Sequence, residues 1–306
     1  MRRAAFAFAV LLFATPLAHS DIDTTRATLR EHALRLINRD RAMYRLPPVQ
    51  LDPQASEIGD EYCRRQIRNR TTGHFTVDGV PPYARYAFAG GNDAISENAA
   101  AWSADYNFNE RALYDMVRRS QDAMMAEMAP NDGHKRTMLD PNATHVGIGL
   151  AWERGEFRLV QEFVRRYVQW TRELPRDARI DQTVAVAGKP LPGVSVEGIT
   201  VHHEPMPTTI AATTASAISV YSLPGKRRVY TPRERIQGIS LTRREAFTVR
   251  GDGSFHFTVP FQDGPGLYTV VVWVRKEGVE SPFSASNVSI RVEGSLQNAA
   301  PASALK

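Results

Sequence analysis

Apolar residues recur at helical spacing through Leu29, Ala33, Leu36, Ile37 and Tyr44, with Asp23 or Thr24 placed to cap the start, and they predict a helix ending near Met43. Leu46-Pro47-Pro48 stops it, because proline lacks an N–H and disfavours helical geometry in the residue before it. Leu51-Asp52-Pro53 opens a second helix with proline in its first turn. Ala55, Ile58, Gly59, Tyr62, Cys63, Gln66 and Ile67 trace its inner face. After Asn69 the periodicity gives way to a loop carrying Gly73-His74, Asp78-Gly79 and Pro81-Pro82; a short helix near residues 83–88 and a turn at Gly90-Gly91-Asn92-Asp93 follow. A third long helix is expected from about Asn109 to Met128, lined on one side by Leu113, Met116, Val117, Ser120, Met124 and Glu127. Pro130-Asn131-Asp132-Gly133 breaks it. From His145 to Trp152 apolar residues alternate with Gly147 and Gly149, and after a turn Phe157, Leu159, Gln161 and Phe163 continue with period two, which predicts two paired strands. This half reads as helices flanking a small antiparallel sheet.

The pattern changes at Leu174-Pro175. Beyond it, short β-type runs stand at hairpin spacing over residues 183–187, 194–202, 218–222, 247–250, 254–261, 267–275 and 287–292. Turn residues such as Gly251-Asp252-Gly253 and Asp263-Gly264-Pro265-Gly266 separate them, and no helical stretch intervenes. The expected class is α+β: an N-terminal mixed domain over residues 21–172, then an all-β, immunoglobulin-like sandwich over 178–294. Residues 295–306 are small and polar and read as a frayed tail.

Composition adds a compartment. Met1-Arg2-Arg3, an apolar run from Ala4 to Leu17 and the small-residue exit Ala18-His19-Ser20 have the layout of a secretory signal peptide over residues 1–20. The run is shorter than the roughly 20 apolar residues of a membrane-spanning helix, and no second apolar span follows, so a secreted, extracellular or periplasmic protein without a transmembrane segment is expected. Cys63 is the single cysteine, which excludes an internal disulfide framework. The net charge of +5 is mild and interspersed. It suits anionic surfaces such as wall polymers or lipid headgroups, while the lack of Lys/Arg runs interleaved with aromatics argues against nucleic acid.

Two Gly-His pairs, Gly73-His74 and Gly133-His134, bracket Ser96-Glu97-Asn98-Ala99. This places two imidazoles and a carboxylate on three separate loops or element ends. Either they converge on one polar site or they are unrelated surface residues. Ile95 and the small residues after Asn98 suggest that Glu97 is partly buried, where a carboxylate needs a partner such as histidine. Glu127, ahead of His134, is a second candidate acid. Two imidazoles with a carboxylate make an open Zn²⁺ site in which water is a further ligand, so His74, His134, Glu97 and Glu127 are the candidate metal-site residues and Zn²⁺ the candidate cofactor. The rival is a metal-dependent hydrolase, a peptidase or peptidoglycan-acting enzyme, with Glu97 as base toward metal-bound water. Cys63 reads as a buried hydrophobe, and no Gly-x-Ser-x-Gly elbow supplies a nucleophile. His202-His203-Glu204, His145, His256 and His32 carry less weight as site residues.

Leu36-Ile37-Asn38-Arg39-Asp40-Arg41, Gly73-His74-Phe75-Thr76, Ser96-Glu97-Asn98-Ala99, Gly133-His134-Lys135-Arg136-Thr137-Met138-Leu139 and Thr144-His145-Val146-Gly147-Ile148-Gly149 occur in the order seen in bacterial, SCP-like members of the CAP superfamily. Over roughly residues 30–168 the chain resembles that superfamily, which includes cysteine-rich secretory proteins, plant pathogenesis-related proteins and venom allergens. The resemblance implies an α-β-α sandwich whose central cleft is lined by two histidines, matched by His74 and His134, and two acids, matched by Glu97 and, through Met124-Met125-Ala126-Glu127, by Glu127. It implies divalent-cation binding in some members and no single enzymatic activity. The functional expectation is extracellular or cell-envelope recognition of a wall polymer, lipid or protein through this cleft, with the β half as an accessory module.

Overall fold

The computed structural model describes residues 17–233 and 246–294; the expected tail, and all but the end of the expected leader, lie outside the described residues. In chain order the first half comprises α1 (Leu17–Met43), β1 (Gln50–Leu51), α2 (Pro53–Asn69), α3 (Pro82–Phe88), β2 (Ala94–Ser103), α4 (Glu110–Met125), α5 (Gly133–Met138), β3 (His145–Glu153) and β4 (Glu156–Arg165). The second comprises β5 (Val168–Arg172), β6 (Asp177–Arg179), β7 (Val184–Pro190), β8 (Val194–Glu204), α6 (Ala212–Ala217), β9 (Arg227–Pro232), β10 (Ala246–Val249), β11 (Phe255–Val259), β12 (Gly266–Lys276), β13 (Phe283–Ser284) and β14 (Val288–Glu293). No helix among the described residues is long and apolar enough to cross a membrane.

The first half is three-layered. Its sheet has the order β1-β3-β4-β2, which leaves β2 at an edge. Period-two alternation sends Val146, Ile148 and Leu150 of β3 with Phe157, Leu159 and Phe163 of β4 into one core, shared with Leu29, Ala33 and Ile37 of α1 and Leu113, Met116 and Val117 of α4. On the opposite face Gly147 and Gly149 let α2 approach closely. A Cβ on Gly149 would fall 2.2 Å from the Gly59 carbonyl carbon, and one on Gly147 would fall 2.4 Å from Ala55 Cβ. Asp52 starts α2 by accepting a hydrogen bond from Ala55 N–H at 2.9 Å, with Pro53 in the first turn. Along the flank of β3, beyond the short β1, Ser56 Oγ and Asp60 Oδ1 accept from the N–H groups of Ile148 and Leu150, so α2 also satisfies exposed backbone donors.

The second half is β-rich, as its turn spacing predicts, and its strands form one path in the order β5-β7-β11-β10-β9-β8-β12-β14-β6, with β13 paired to β12. Its core gathers Val184, Val186, Ile199, Val201, Phe255, Phe257, Val270, Val272 and Ile290 among others, with Ala87 of α3 joining them. Val168–Arg172, read in the sequence as the end of the first half, pairs with β7 of the second.

Five expectations need correction. Helix α1 begins at Leu17, so Asp23 and Thr24 lie inside it rather than capping its start. Residues 218–222 form no strand, although Ile218, Val220 and Tyr221 have β-type side chains; Val220 is 77% exposed, so no neighbour rewards the alternation. The second half contains a helix, α6, where none was expected. Helix α4 ends at Met125, which puts Glu127 beyond it rather than on its inner face. Glu97 lies inside a strand, not in a loop or at an element end.

The halves are joined by polar clamps at α3 and β2. Arg176 donates to the carbonyls of Ala87 and Gly91, at 2.5 and 3.0 Å, and to Asn92 Oδ1 at 2.7 Å. Ala94 N–H donates to the Ala285 carbonyl at 3.1 Å. Tyr83 Oη donates to Glu204 Oε1 at 2.9 Å.

Candidate functional site

The edge strand β2 brings the candidate residues together. His74, in the loop after α2, donates from Nδ1 to Glu97 Oε1 at 2.8 Å. His134, in the first turn of α5, donates from Nδ1 to Glu127 Oε1 and from its backbone N–H to Glu127 Oε2, the latter at 2.9 Å. The two imidazole rings lie 6.4 Å apart between centroids, inclined by 36°. Each Nδ1 faces a carboxylate oxygen and is therefore the proton-bearing nitrogen, which leaves Nε2 as the edge turned away from the acid. Neither Nε2 has a hydrogen-bond partner among the described residues. The three distant polar side chains, with Glu127, therefore do meet.

Local structure sets each position. Gly73 has φ +79°, the left-handed region glycine tolerates, and its carbonyl is held by Tyr62 Oη at 3.0 Å and Gln66 Nε2 at 2.8 Å from α2. That anchors the loop one residue before His74. On the other side Asn98 Nδ2 donates to the His134 carbonyl at 3.0 Å, and a chain of amides continues through Gln161 and Gln121 to Asp40.

Beneath His74 lies a buried charge cluster that sequence reasoning missed. Arg85 of α3, 8% exposed, donates from Nη2 to Glu97 Oε2 and, at 3.3 Å, to Glu162 Oε1, and from Nη1 to the His74 carbonyl at 3.1 Å. Its guanidinium also stacks 3.5 Å above the Tyr62 ring. Glu97 and Glu162 stand directly opposite each other in the β2–β4 ladder and are 3% and 0% exposed. Burial and then the Glu97 charge push the Glu162 carboxyl well above its ordinary range, with Arg85 opposing. The cluster thus sets one guanidinium against two buried carboxyl groups, of which Glu162 is pushed the more strongly toward its protonated form. Burial lowers the Arg85 pKa, but Glu97, Tyr62 and Glu162 outweigh that and keep it charged. Burial, and secondarily Arg85, pushes the His74 imidazole down to about 4, so it is neutral at physiological pH.

The signals for Arg85 and Glu162 were present: each is a lone charge inside an otherwise apolar stretch, Pro82-Tyr83-Ala84-Arg85-Tyr86-Ala87-Phe88 and Leu159-Val160-Gln161-Glu162-Phe163-Val164. Tyr221 had none, because it arrives from the second half. Its Oη accepts the Glu97 backbone N–H at 2.5 Å, and its ring meets His74 edge-on at 5.0 Å. Three further histidines lie elsewhere. His202 uses Nδ1 on the Pro224 carbonyl and Nε2 on Thr200 Oγ1, His145 bonds Thr144, and His256 faces outward between Phe255 and Phe257. Cys63 is fully buried, and burial raises its thiol well above the ordinary value.

The donors suit a divalent cation in part. Two imidazoles present Nε2 atoms without a partner among the described residues, whereas the oxygens of Glu97 and Glu127 are engaged by His74, Arg85, His134 and Lys135. Among the described residues no group of three or more His, Cys, Asp or Glu side chains is arranged to hold a metal. A cation would thus take two protein donors, with its other positions left to water or ligand.

Comparison with known proteins bears on the first half. Residues 34–163 match the family model described as CAP, the cysteine-rich secretory protein family. Among solved structures the chain is similar to an extracellular protein containing an SCP domain from Bacillus anthracis, at 17% identity and TM-score 0.33 over 44% of this chain and 40% of that one. It is also similar to an outer surface protein from Borrelia burgdorferi, at 16% identity and TM-score 0.35 over 47% and 93% of the two chains. The match thus spans less than half of the Bacillus protein's length. No curated protein matches the chain.

Proposed function

Because residues 34–163 of this chain match the family model of CAP, the cysteine-rich secretory protein family, we propose that it is a secreted recognition protein that works outside the cell or in its envelope. Its cleft between His74 and His134 binds ligand with help from a divalent cation. The carrying observation is that Glu97 and Glu127 each take the Nδ1 side of an imidazole, leaving two Nε2 edges on rings 6.4 Å apart. Neutral imidazole is the form a metal takes, and burial keeps His74 in that form. His74 and His134 would hold the cation, and Glu97 and Glu127 would orient them. When bound, Zn²⁺ would supply Lewis acidity toward an oxygen or nitrogen of the ligand.

Recognition suits this arrangement better than hydrolysis does. A general base needs a carboxylate oxygen within reach of the attacking water, and Glu97 commits both oxygens, to His74 and to the Arg85 guanidinium. Secretion rests on the basic start, the apolar run after it and the single cysteine. The β-rich half, which we take as a sandwich-type accessory module, would contact the partner or a neighbouring surface.

Calorimetric titration of Zn²⁺ into the mature chain tests the metal, beside the His74→Ala/His134→Ala double variant. Saturable binding lost in the variant is expected; equal isotherms remove the cation from the proposal. Turnover of peptide or peptidoglycan fragments, abolished by chelator and by Glu97→Gln, would favour the hydrolase instead.

A further inference from the structure

The connection from β8 to β9 is out of proportion to its task. These strands pair antiparallel with His202 opposite Arg227, so their ends are adjacent and a turn of about two to five residues would join them. Residues 205–226 instead leave the second half and run across the first half. Even with α6 inside it, this connection is far longer than joining two adjacent strand ends requires. Ile210 N–H donates to the Val77 carbonyl at 2.8 Å, and Ser216 Oγ accepts from Thr72 N–H at 3.1 Å. A Cβ on Gly79 would fall 2.5 Å from the Thr208 carbonyl oxygen, and one on Gly73 would fall 3.2 Å from that of Ile218. Ala215 of α6 is fully buried. The segment therefore follows the loop that carries His74 along its length and ends with Tyr221 in the cleft.

What Tyr221 does there is specific. Strand β2 is an edge, and its outward Glu97 N–H would lack a partner without the Tyr221 hydroxyl. The ring covers His74 edge-on, while Leu223 and Tyr221 pack beside Tyr83, Val80 and Phe88. Next to Tyr221, Val220 stands in solvent, 77% exposed. These are the interactions an incoming extended peptide would make: backbone bonds to a loop, a polar bond to a free strand edge and an aromatic ring against an imidazole.

We propose that residues 205–224 are an intramolecular strap that occupies the cleft in place of a ligand, and that the exchangeable ligand is an extended polypeptide presenting an aromatic side chain at the position of Tyr221. This rests on the recognition function proposed above and names its ligand class. Release of the strap exposes His74 and the Glu97 N–H together, so ligand access is coupled to strap opening.

The test runs in EDTA, so that it does not depend on whether a cation binds. The probe is a fluorescent peptide with the sequence of residues 213–224, offered to the full chain and to a chain in which residues 206–223 are replaced by Asn-Gly. Binding to the shortened chain is expected, with the full chain and a peptide carrying Tyr221→Ala each roughly tenfold weaker, about the loss of one hydrogen bond and one aromatic contact. In parallel, the rate at which diethylpyrocarbonate modifies His74 is read by mass spectrometry in the full chain and in Tyr221→Ala, which keeps the strap and serves if the shortened chain does not fold. A rise of about tenfold is expected from the same two lost contacts, with His134 changing less. Equal peptide binding to both chains, no binding to a folded shortened chain, or an unchanged His74 rate in Tyr221→Ala each overturns the proposal. Loss of Zn²⁺ binding without these changes would bear on the metal alone.

Discussion

Glu97 and Asn98 are consecutive residues whose side chains serve opposite layers of the first half. Glu97 takes His74 from the α2 side, and Asn98 holds the His134 carbonyl on the side of α4 and α5. A strand turns successive side chains to opposite faces, so two adjacent positions on an edge strand can gather loops from both layers around one rim. The two histidines are gathered here because β2 is both an edge and the place where these neighbours stand.

Protonation distinguishes the two buried glutamates. Glu97→Gln removes the charge that balances Arg85 and should cost on the order of 3 kcal/mol, as breaking a buried ion pair does. Glu162→Gln replaces the acid whose protonated form burial and the Glu97 charge favour with a group of similar shape, and should cost less than about 1 kcal/mol. Urea unfolding at pH 7 measures both; equal losses would mean that Glu162 is the ionised partner.

His74 should make the fold sensitive to mild acid. Its imidazole is held at about 4 against 6.5 in the unfolded chain, so the unfolded state binds the extra proton first. The contribution is fully present above about pH 6.5 and is lost as pH falls toward 4. Glu97 and Glu162, raised by burial, act in the opposite sense by binding protons in the native state at higher pH. The His74 term is therefore isolated by comparing the pH dependence of unfolding with that of His74→Gln, which should be flatter between these limits. Proton NMR of the His74 ring should show no inflection near pH 6.5.

Asn98→Ala should loosen only one side of the rim. Losing the bonds to the His134 carbonyl and Gln161 is expected to cost about 1–3 kcal/mol, because buried partners are left unpaired. Amide hydrogen exchange should quicken across residues 133–138 and stay unchanged at His74. Faster exchange at both histidines would show that the two halves of the cleft are not held separately.

Two glycines of the recurring motifs have different weights. Gly149→Ala would drive a Cβ into the backbone of α2, at 2.2 Å from Gly59, and should cost upwards of about 3 kcal/mol or prevent folding. A Cβ on Gly133, next to His134, meets nothing within 4 Å, so Gly133→Ala should change stability by no more than about 0.5 kcal/mol. Thermal melts of the two variants separate a glycine needed for layer contact from one that is not.

Local information in the chain determined the framework. Helical spacing placed α2, with proline in its first turn, from Pro53 and α4 from near Asn109, and alternation placed β3 and β4, because these signals arise within a few residues of one another. The motif order also marked His74, Glu97, Glu127 and His134 as members of one site, and Glu127 kept its partner although it lies past the end of its helix. Only the tertiary structure decided how they are charged and what covers them. Cross-strand register set Glu162 against Glu97 and so pushed one of them toward its protonated form. Packing between layers brought Arg85 beneath His74, and the long β8–β9 connection delivered Tyr221 from the other half. Register, burial and long-range contact depend on residues far apart in the chain, and the β-type side chains of residues 218–222 read as a strand until the contacts around them showed that only Tyr221 is engaged.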